Sequence, residues 1–330
     1  MNLIGRGAGA FTDFVDVLRQ VRTDEIAAEA DQHFEISVVG PPDAGKTTLI
    51  NRLGLGSFGA LAEPFSLRRL VELDAPLSPA QLQAAYQSDL VLWLQDVTAP
   101  YLDDSFGLLR SHAPAFLHVG NKADLLLNPN PATDGAVLVS ALSTDSVRHQ
   151  LAPAILDAVP HLGLALGRRF GIFRQAVADR EIMRVARVNA EVAVVSAIPQ
   201  ASLILGPVSA VADTFLLTKN QAMLLLRLAA LYGLSLDKRR LVELAPIVGA
   251  AFGWRTLARE AVGFLPAGFG VLPKAVIAYA GTVAIGRAAA WYYETGRKMP
   301  ENQLRQIYSE SSARARGLVR EIGQRLKRAG

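Results

Sequence analysis

The sequence predicts an α/β fold: a mostly parallel, doubly wound sheet over residues 34–160, followed by an all-helical domain over 161–330. Three observations predict it. The segment Gly40-Pro41-Pro42-Asp43-Ala44-Gly45-Lys46-Thr47 directly follows the apolar run Phe34 to Val39. It fits the pattern Gly, four residues, Gly-Lys-Thr that cradles phosphates between a strand and a helix. After it, apolar runs alternate with helical patterns, as they do when parallel strands are joined by crossover helices. Beyond Pro160, strand signals give way to long stretches rich in Ala, Leu, Val and Gly at helical spacing.

Residues 1–33 come first. Phe11, Phe14, Val15, Leu18 and Val21 recur at helical spacing among Asp, Arg and Gln, which predicts an amphipathic helix over about 9 to 31. The strand ending at Gly40 then delivers the loop to a helix whose apolar positions are Leu49, Ile50 and Leu53. Further strands are expected at Arg69 to Leu73, Asp89 to Gln95, Ala115 to Val119 and Ala136 to Val139. Helices are expected at Pro79 to Tyr86, Asp103 to Arg110 and Thr144 to Val159. In the second half the spacing predicts helices near 168–198, 208–232, 237–262, 272–296 and 301–328. Pro199, Gly206-Pro207, Gly233, Pro266-Ala267-Gly268 and Met299-Pro300 punctuate them.

Composition narrows the classes. The chain of 330 residues carries a net charge of +4, too small to imply nucleic acid by itself. From Arg297 onward nine Lys and Arg face three Glu, so this tail holds about +6 and the rest about −2. Without cysteine there is no disulfide, thiolate metal site or thiol nucleophile, and a reducing cytoplasm is permitted. Asp13 and Asp16 interrupt what an export signal would need as an apolar core. The five histidines show no metal spacing. Hydrophobic content of 51% is high, and its excess in the second half raises the question of membranes.

The phosphate-loop pattern assigns chemistry directly. Backbone N–H groups and a helix N-terminus favour a polyphosphate, Lys46 would bridge its outer phosphates, and Thr47 would give its hydroxyl to Mg²⁺. Asn121-Lys122-Ala123-Asp124 stands at the C-terminal end of a predicted strand, where doubly wound sheets bind ligands. Together these motifs resemble the Era-like branch of translation-factor-type GTPases, whose base-reading motif is Asn-Lys-x-Asp. The resemblance implies GTP or GDP as ligand. Asp124 would accept two hydrogen bonds from guanine, and Asn121 and Lys122 would brace the loops and stack on the base. It also implies that Ser140-Ala141-Leu142 offers a backbone amide to the guanine carbonyl, and that Asp74 reaches Mg²⁺ through water. The nucleotide-binding set is therefore Gly40, Asp43, Ala44, Gly45, Lys46, Thr47, Thr48, Asn121, Lys122, Asp124, Ser140, Ala141 and Leu142, with Thr47 and Asp74 toward the metal. Asp43 stands where potassium-dependent relatives carry Asn, so it would either help hold a monovalent cation or brace the loop.

The sequence also departs from that family. Asp74-Ala75-Pro76-Leu77 has Leu where Asp-x-Pro-Gly has a phosphate-sensing Gly. Only 27 residues separate Lys46 from Asp74, and Leu49 to Leu73 contains no threonine to serve as a switch ligand, although Ser57 and Ser66 are there. No glutamine stands beside Ser78 to orient a water. No residue is assigned as catalytic, and hydrolysis is expected to be slow, partner- or dimer-assisted, or absent.

The second half resembles the YcjF/GTPase C-terminal domain, a bacterial family of unknown function often fused to Era-like GTPases. The features are Ala178-Asp179-Arg180 with Met183, Ile198-Pro199, Gln221 with Met223, Tyr232-Gly233, Gly268-Phe269-Gly270 with Lys274, and Thr282 to Gly286. Val192 to Ala212 holds no charge over 21 residues, long enough for a span though broken by Pro199 and Gly206-Pro207. A re-entrant hairpin and a buried core helix fit it equally. Trp291-Tyr292-Tyr293 beside Arg287, Arg297 and Lys298 suits either an interfacial anchor or core packing. Leu304, Tyr308, Ala315, Leu318, Ile322 and Leu326 form an apolar stripe flanked by arginines, a basic amphipathic helix that would cover its own domain, an anionic membrane or RNA.

These readings converge on a GTP-binding protein, cytoplasmic or on the cytoplasmic side of a membrane, with guanine nucleotide, Mg²⁺ and a membrane or membrane protein as partners. The alternatives are a non-hydrolysing GTP-bound adaptor at a membrane and a ribosome-associated Era-like factor. RNA ranks behind membrane because stacking aromatics are few, and nothing points to DNA.

Overall fold

A computed structural model describes residues 22–54, 70–126, 135–195, 208–236 and 272–329. The described residues divide into two compact units: one runs from Ala28 to Val177, and the other holds those from Ala178 onward together with those before Ala28.

The first unit is an α/β layer structure. Its five strands, β1 (Ile36–Gly40), β2 (Leu70–Asp74), β3 (Leu90–Asp96), β4 (Phe116–Asn121) and β5 (Val137–Leu138), form an all-parallel sheet in the order β2-β1-β3-β4-β5. A helix of eight residues, α1 (Thr23–Ala30), precedes it in the chain, and the boundary of this unit at Ala28 falls within that helix. Among the strands run α2 (Lys46–Gly54), α3 (Pro79–Tyr86) and α4 (Asp104–His112).

Central β3 explains the layering. Leu90, Val91, Leu92, Trp93 and Leu94 are all fully buried, because helices cover both faces of a parallel sheet. Val91 and Trp93 pack with Val39, Ala75, Leu77, Ala85 and Leu109, and the ring of Phe106 sits edge-on to Trp93 at 5.4 Å. Successive strand residues point to opposite faces, so Leu92 and Leu94 face the other layer. Each such side chain contributes roughly 1.5–3 kcal/mol of burial.

After β5 the chain runs through Thr144–Ser146, a π-helical turn at Val147–Leu151, and α5 (Ala152–Ala158). A 3₁₀ turn at Pro160–Leu162 leads into α6 (Gly163–Arg169), which stays in the first unit. The division between units falls within α7 (Gly171–Val195).

The second unit is helical: the later part of α7, α8 (Val208–Leu231), α9 (Leu272–Thr295) and α10 (Glu301–Ala329). Polar side chains cross its interior. Thr282 Oγ1 donates to Ala278 O at 2.7 Å and accepts from Asn189 Nδ2 at 2.9 Å and from Gln221 Nε2 at 3.4 Å. Asn189 Oδ1 in turn accepts from Asn220 at 2.8 Å. Glu181 accepts from Arg227 and Arg184, both at 2.8 Å, and Arg287 pairs with Asp179. The stripe of α10 is used inside this unit: Leu304 and Tyr308 pack on Ala280 and Ala284, and Ala315 is fully buried. Tyr293 donates to Leu225 O at 3.4 Å, and burial, then Tyr292 beside it, pushes its hydroxyl well above the usual range. Among the described residues no helix is long and apolar enough to cross a membrane. Most of Val192 to Ala212, the predicted helix at 237–262, Ser57 and Ser66 lie outside the described residues.

Candidate functional site

The strand order turns at β1, which has β2 on one side and β3 on the other. At such a switch point the loops leaving the strand ends part and open a crevice. Gly40 to Thr47 leaves β1 there, and Asn121 to Asp124 leaves β4.

Local backbone chemistry shapes the first loop. A Cβ on Gly40 would run into the Leu94 carbonyl of β3, so β1 reaches this close only as glycine. Gly45 has φ of 90°, which glycine adopts freely, and a Cβ there would collide with the Asn121 amide. Among the described residues two that are not glycine have positive φ, Asp43 at 63° and Lys122 at 62°. They fall in these two loops. Backbone of this kind costs on the order of 1–3 kcal/mol per residue and clusters where a chain is shaped for a ligand.

Asn121 links the loops. Its side chain, 3% exposed, donates from Nδ2 to Ala44 O at 2.8 Å and accepts at Oδ1 from Ala141 N at 2.8 Å. One buried amide thus joins Gly40–Thr47 to Ser140–Leu142. Lys122 donates to Asp96 Oδ2 at 2.5 Å, and Thr98 donates to Asp96 Oδ1 from its amide at 2.8 Å and its hydroxyl at 2.7 Å. Burial alone would raise the Asp96 pKa, but Lys122 and Thr98 together hold it below the usual carboxylate value. Asp124 lies exposed on a 3₁₀ turn at Ala123–Leu125, and Leu125 and Leu142 are exposed beside these motifs. Ser140 N donates to Ser146 Oγ at 2.9 Å.

Lys46 is 3% exposed, yet its ammonium donates to Pro41 O at 2.8 Å and pairs with exposed Asp74 Oδ1 at 2.7 Å. Thr47 Oγ1 donates to Glu72, 2.8 Å from Oε1 and 3.0 Å from Oε2. Thr48 follows in the first turn of α2. Thr47, Asp74 and Glu72 are hard oxygen donors of the kind Mg²⁺ takes. Among the described residues no group of three or more His, Asp or Glu is placed to hold a metal, so a cation here would complete its shell from water and phosphate oxygens.

Leu77 is turned inward. Its side chain packs in the core with Ala75 and Val39, and its amide donates to Ser105 Oγ at 3.1 Å. Gln81, the first glutamine after Ser78, caps α3: Ser78 N donates to Gln81 Oε1 at 3.0 Å, and Gln81 N to Ser78 Oγ at 3.4 Å.

Four residues at the site escape motif reading. Arg52 in the last turn of α2 donates to Ala141 O at 3.1 Å, Leu142 O at 2.6 Å and Thr144 Oγ1 at 2.9 Å. Glu72, Asp96 and Ser105 are the others. Asp96 had a signal, a carboxylate at the end of a strand whose first five residues, Leu90 to Leu94, are all apolar. The remaining three meet partners 25 or more residues away, which no local pattern reports.

In comparison with known proteins, no family model matches the chain and no curated protein sequence matches it significantly.

Proposed function

We propose that this chain is a guanine-nucleotide-binding protein of the P-loop GTPase type, with GTP or GDP and Mg²⁺ as ligands. The observation that carries the reading is the pair of bonds from Asn121, which tie a loop of phosphate-binding pattern to a loop of base-reading pattern at one crevice. The N–H groups at the start of α2 and buried Lys46 supply positive charge for phosphates. Thr47 and Asp74 would hold Mg²⁺, which neutralises phosphate charge when bound. Asp124 and the amides of Ser140 to Leu142 would read guanine, beside the exposed apolar surfaces of Leu125 and Leu142.

Calorimetric titration with GDP, GTP and ATP in Mg²⁺ tests it. Guanine nucleotides are expected to bind, and ATP to bind about 10⁴-fold more weakly, because its ring lacks the donors Asp124 needs. Equal affinity for ATP, or no binding of GDP, overturns the proposal.

Slow hydrolysis, or binding without hydrolysis, is supported by one further observation. The amide of Leu77 is already bonded to Ser105 and its side chain is core, so a phosphate could draw on that amide only by breaking both. Single-turnover GTP hydrolysis with and without liposomes separates an idle site from a stimulated one. Association with the cytoplasmic side of a membrane is proposed from the apolar second half. Carbonate and then detergent fractionation tests it, and release of the chain without either refutes it.

A further inference from the structure

Glu72 and Asp74 are two apart on β2 and therefore share a face of the strand. They address the two side chains of the loop that carry its chemistry: Asp74 pairs with Lys46, and Glu72 receives the Thr47 proton on both carboxylate oxygens. A threonine hydroxyl has one proton and two lone pairs. With the proton committed to Glu72, both lone pairs stay free for a cation, and the acceptor's charge makes that oxygen a stronger ligand.

Resting on the guanine-nucleotide reading above, we infer that Glu72 is a positioning residue for the cation side of that site, acting through Thr47. Partners that orient a metal ligand in this way are commonly worth 10–100-fold in metal affinity. Glu72 has a second effect. Together with Asp74 it adds negative charge near the nucleotide's phosphates, which opposes binding until a divalent cation compensates. Nucleotide affinity in this protein is accordingly tied to the cation more tightly than Thr47 and Asp74 alone would make it.

The test uses the full chain with Mn²⁺ as probe, its binding followed by EPR in the presence of GDP, alongside GDP affinity in Mg²⁺ and in EDTA. Glu72 is exposed, so its substitution leaves the core intact. Glu72→Ala is expected to weaken Mn²⁺ binding about 10–100-fold, with GDP affinity in EDTA unchanged or tighter. Glu72→Gln keeps an acceptor oxygen without the charge and should recover part of the loss. An unchanged Mn²⁺ affinity in Glu72→Ala, or an equal loss of GDP affinity with and without divalent cation, overturns the inference while leaving the guanine site standing. Failure of the unsubstituted chain to bind GDP overturns both.

Discussion

Asn121 does what no other residue type can at its position. A planar amide presents a donor and an acceptor in fixed geometry, and here each end meets a different loop. Asn121→Ala leaves a buried carbonyl and a buried amide without partners, at about 1–3 kcal/mol each. Lower unfolding stability of the first unit and loss of GDP binding are expected together, read by denaturant titration and calorimetry. Asp124 lies exposed and makes a separate prediction. Asp124→Asn replaces an acceptor by an amide that can donate to the 2-carbonyl of xanthine. Preference should move from GDP to XDP, with little change in stability. His118 on β4 makes a third. Burial, then nearby Arg110, lowers its pKa; its Nε2 is buried without a hydrogen-bond partner, and its ring centroid lies 5.1 Å from that of Phe106. A histidine depressed in the folded state leaves stability intact above its unfolded value of about 6.5, and stability falls as pH drops below it. His118→Phe should flatten that fall in thermal melts between pH 7 and 5.

At the scale of elements, α3 shows a helix specified by its own letters. Ser78-Pro79-Ala80-Gln81 reads as a capping box with proline at the first turn, and both reciprocal bonds are present. Ser78→Ala should cost about 0.5–2 kcal/mol, measured by chemical denaturation. Strand β3 was equally legible because its fully buried residues Leu90 to Leu94 form an unbroken apolar run. Less legible was the helical stretch expected at Thr144 to Val159. The structure turns it through a π-helical step at Val147–Leu151, just before Pro153. Proline lacks the N–H that would bond the carbonyl four residues back, and the wider turn changes the register there. The Arg52 clamp was invisible because its acceptors are carbonyls and a hydroxyl about 90 residues on. The pattern Asn121 to Asp124, by contrast, is contiguous and could be read as a unit.

For the whole molecule, the sequence distinguished an α/β half from a helical half, and the structure has both. The strand and helix alternation ends near Pro160, whereas the first compact unit continues through α6 to Val177. Long helices rich in alanine carry little information about which neighbours they choose. The basic stripe of α10 left three partners open, and within the described residues its apolar side chains from Leu304 to Ala315 are taken up by its own unit. A ribosome-bound factor would co-sediment with ribosomes and lose that association steeply with salt, as phosphate contacts do.

The hydroxyl of Thr282 is bonded to its own helix and to the side chains of α7 and α8, which uses its one proton and both lone pairs. None of the three helices can therefore leave without stripping a polar atom in the interior. In native-state hydrogen exchange, the amides around Asn189, Gln221 and Thr282 should exchange as one block with a single opening free energy. Thr282→Val should split that block or lower its protection, whereas Thr282→Ser should keep it whole.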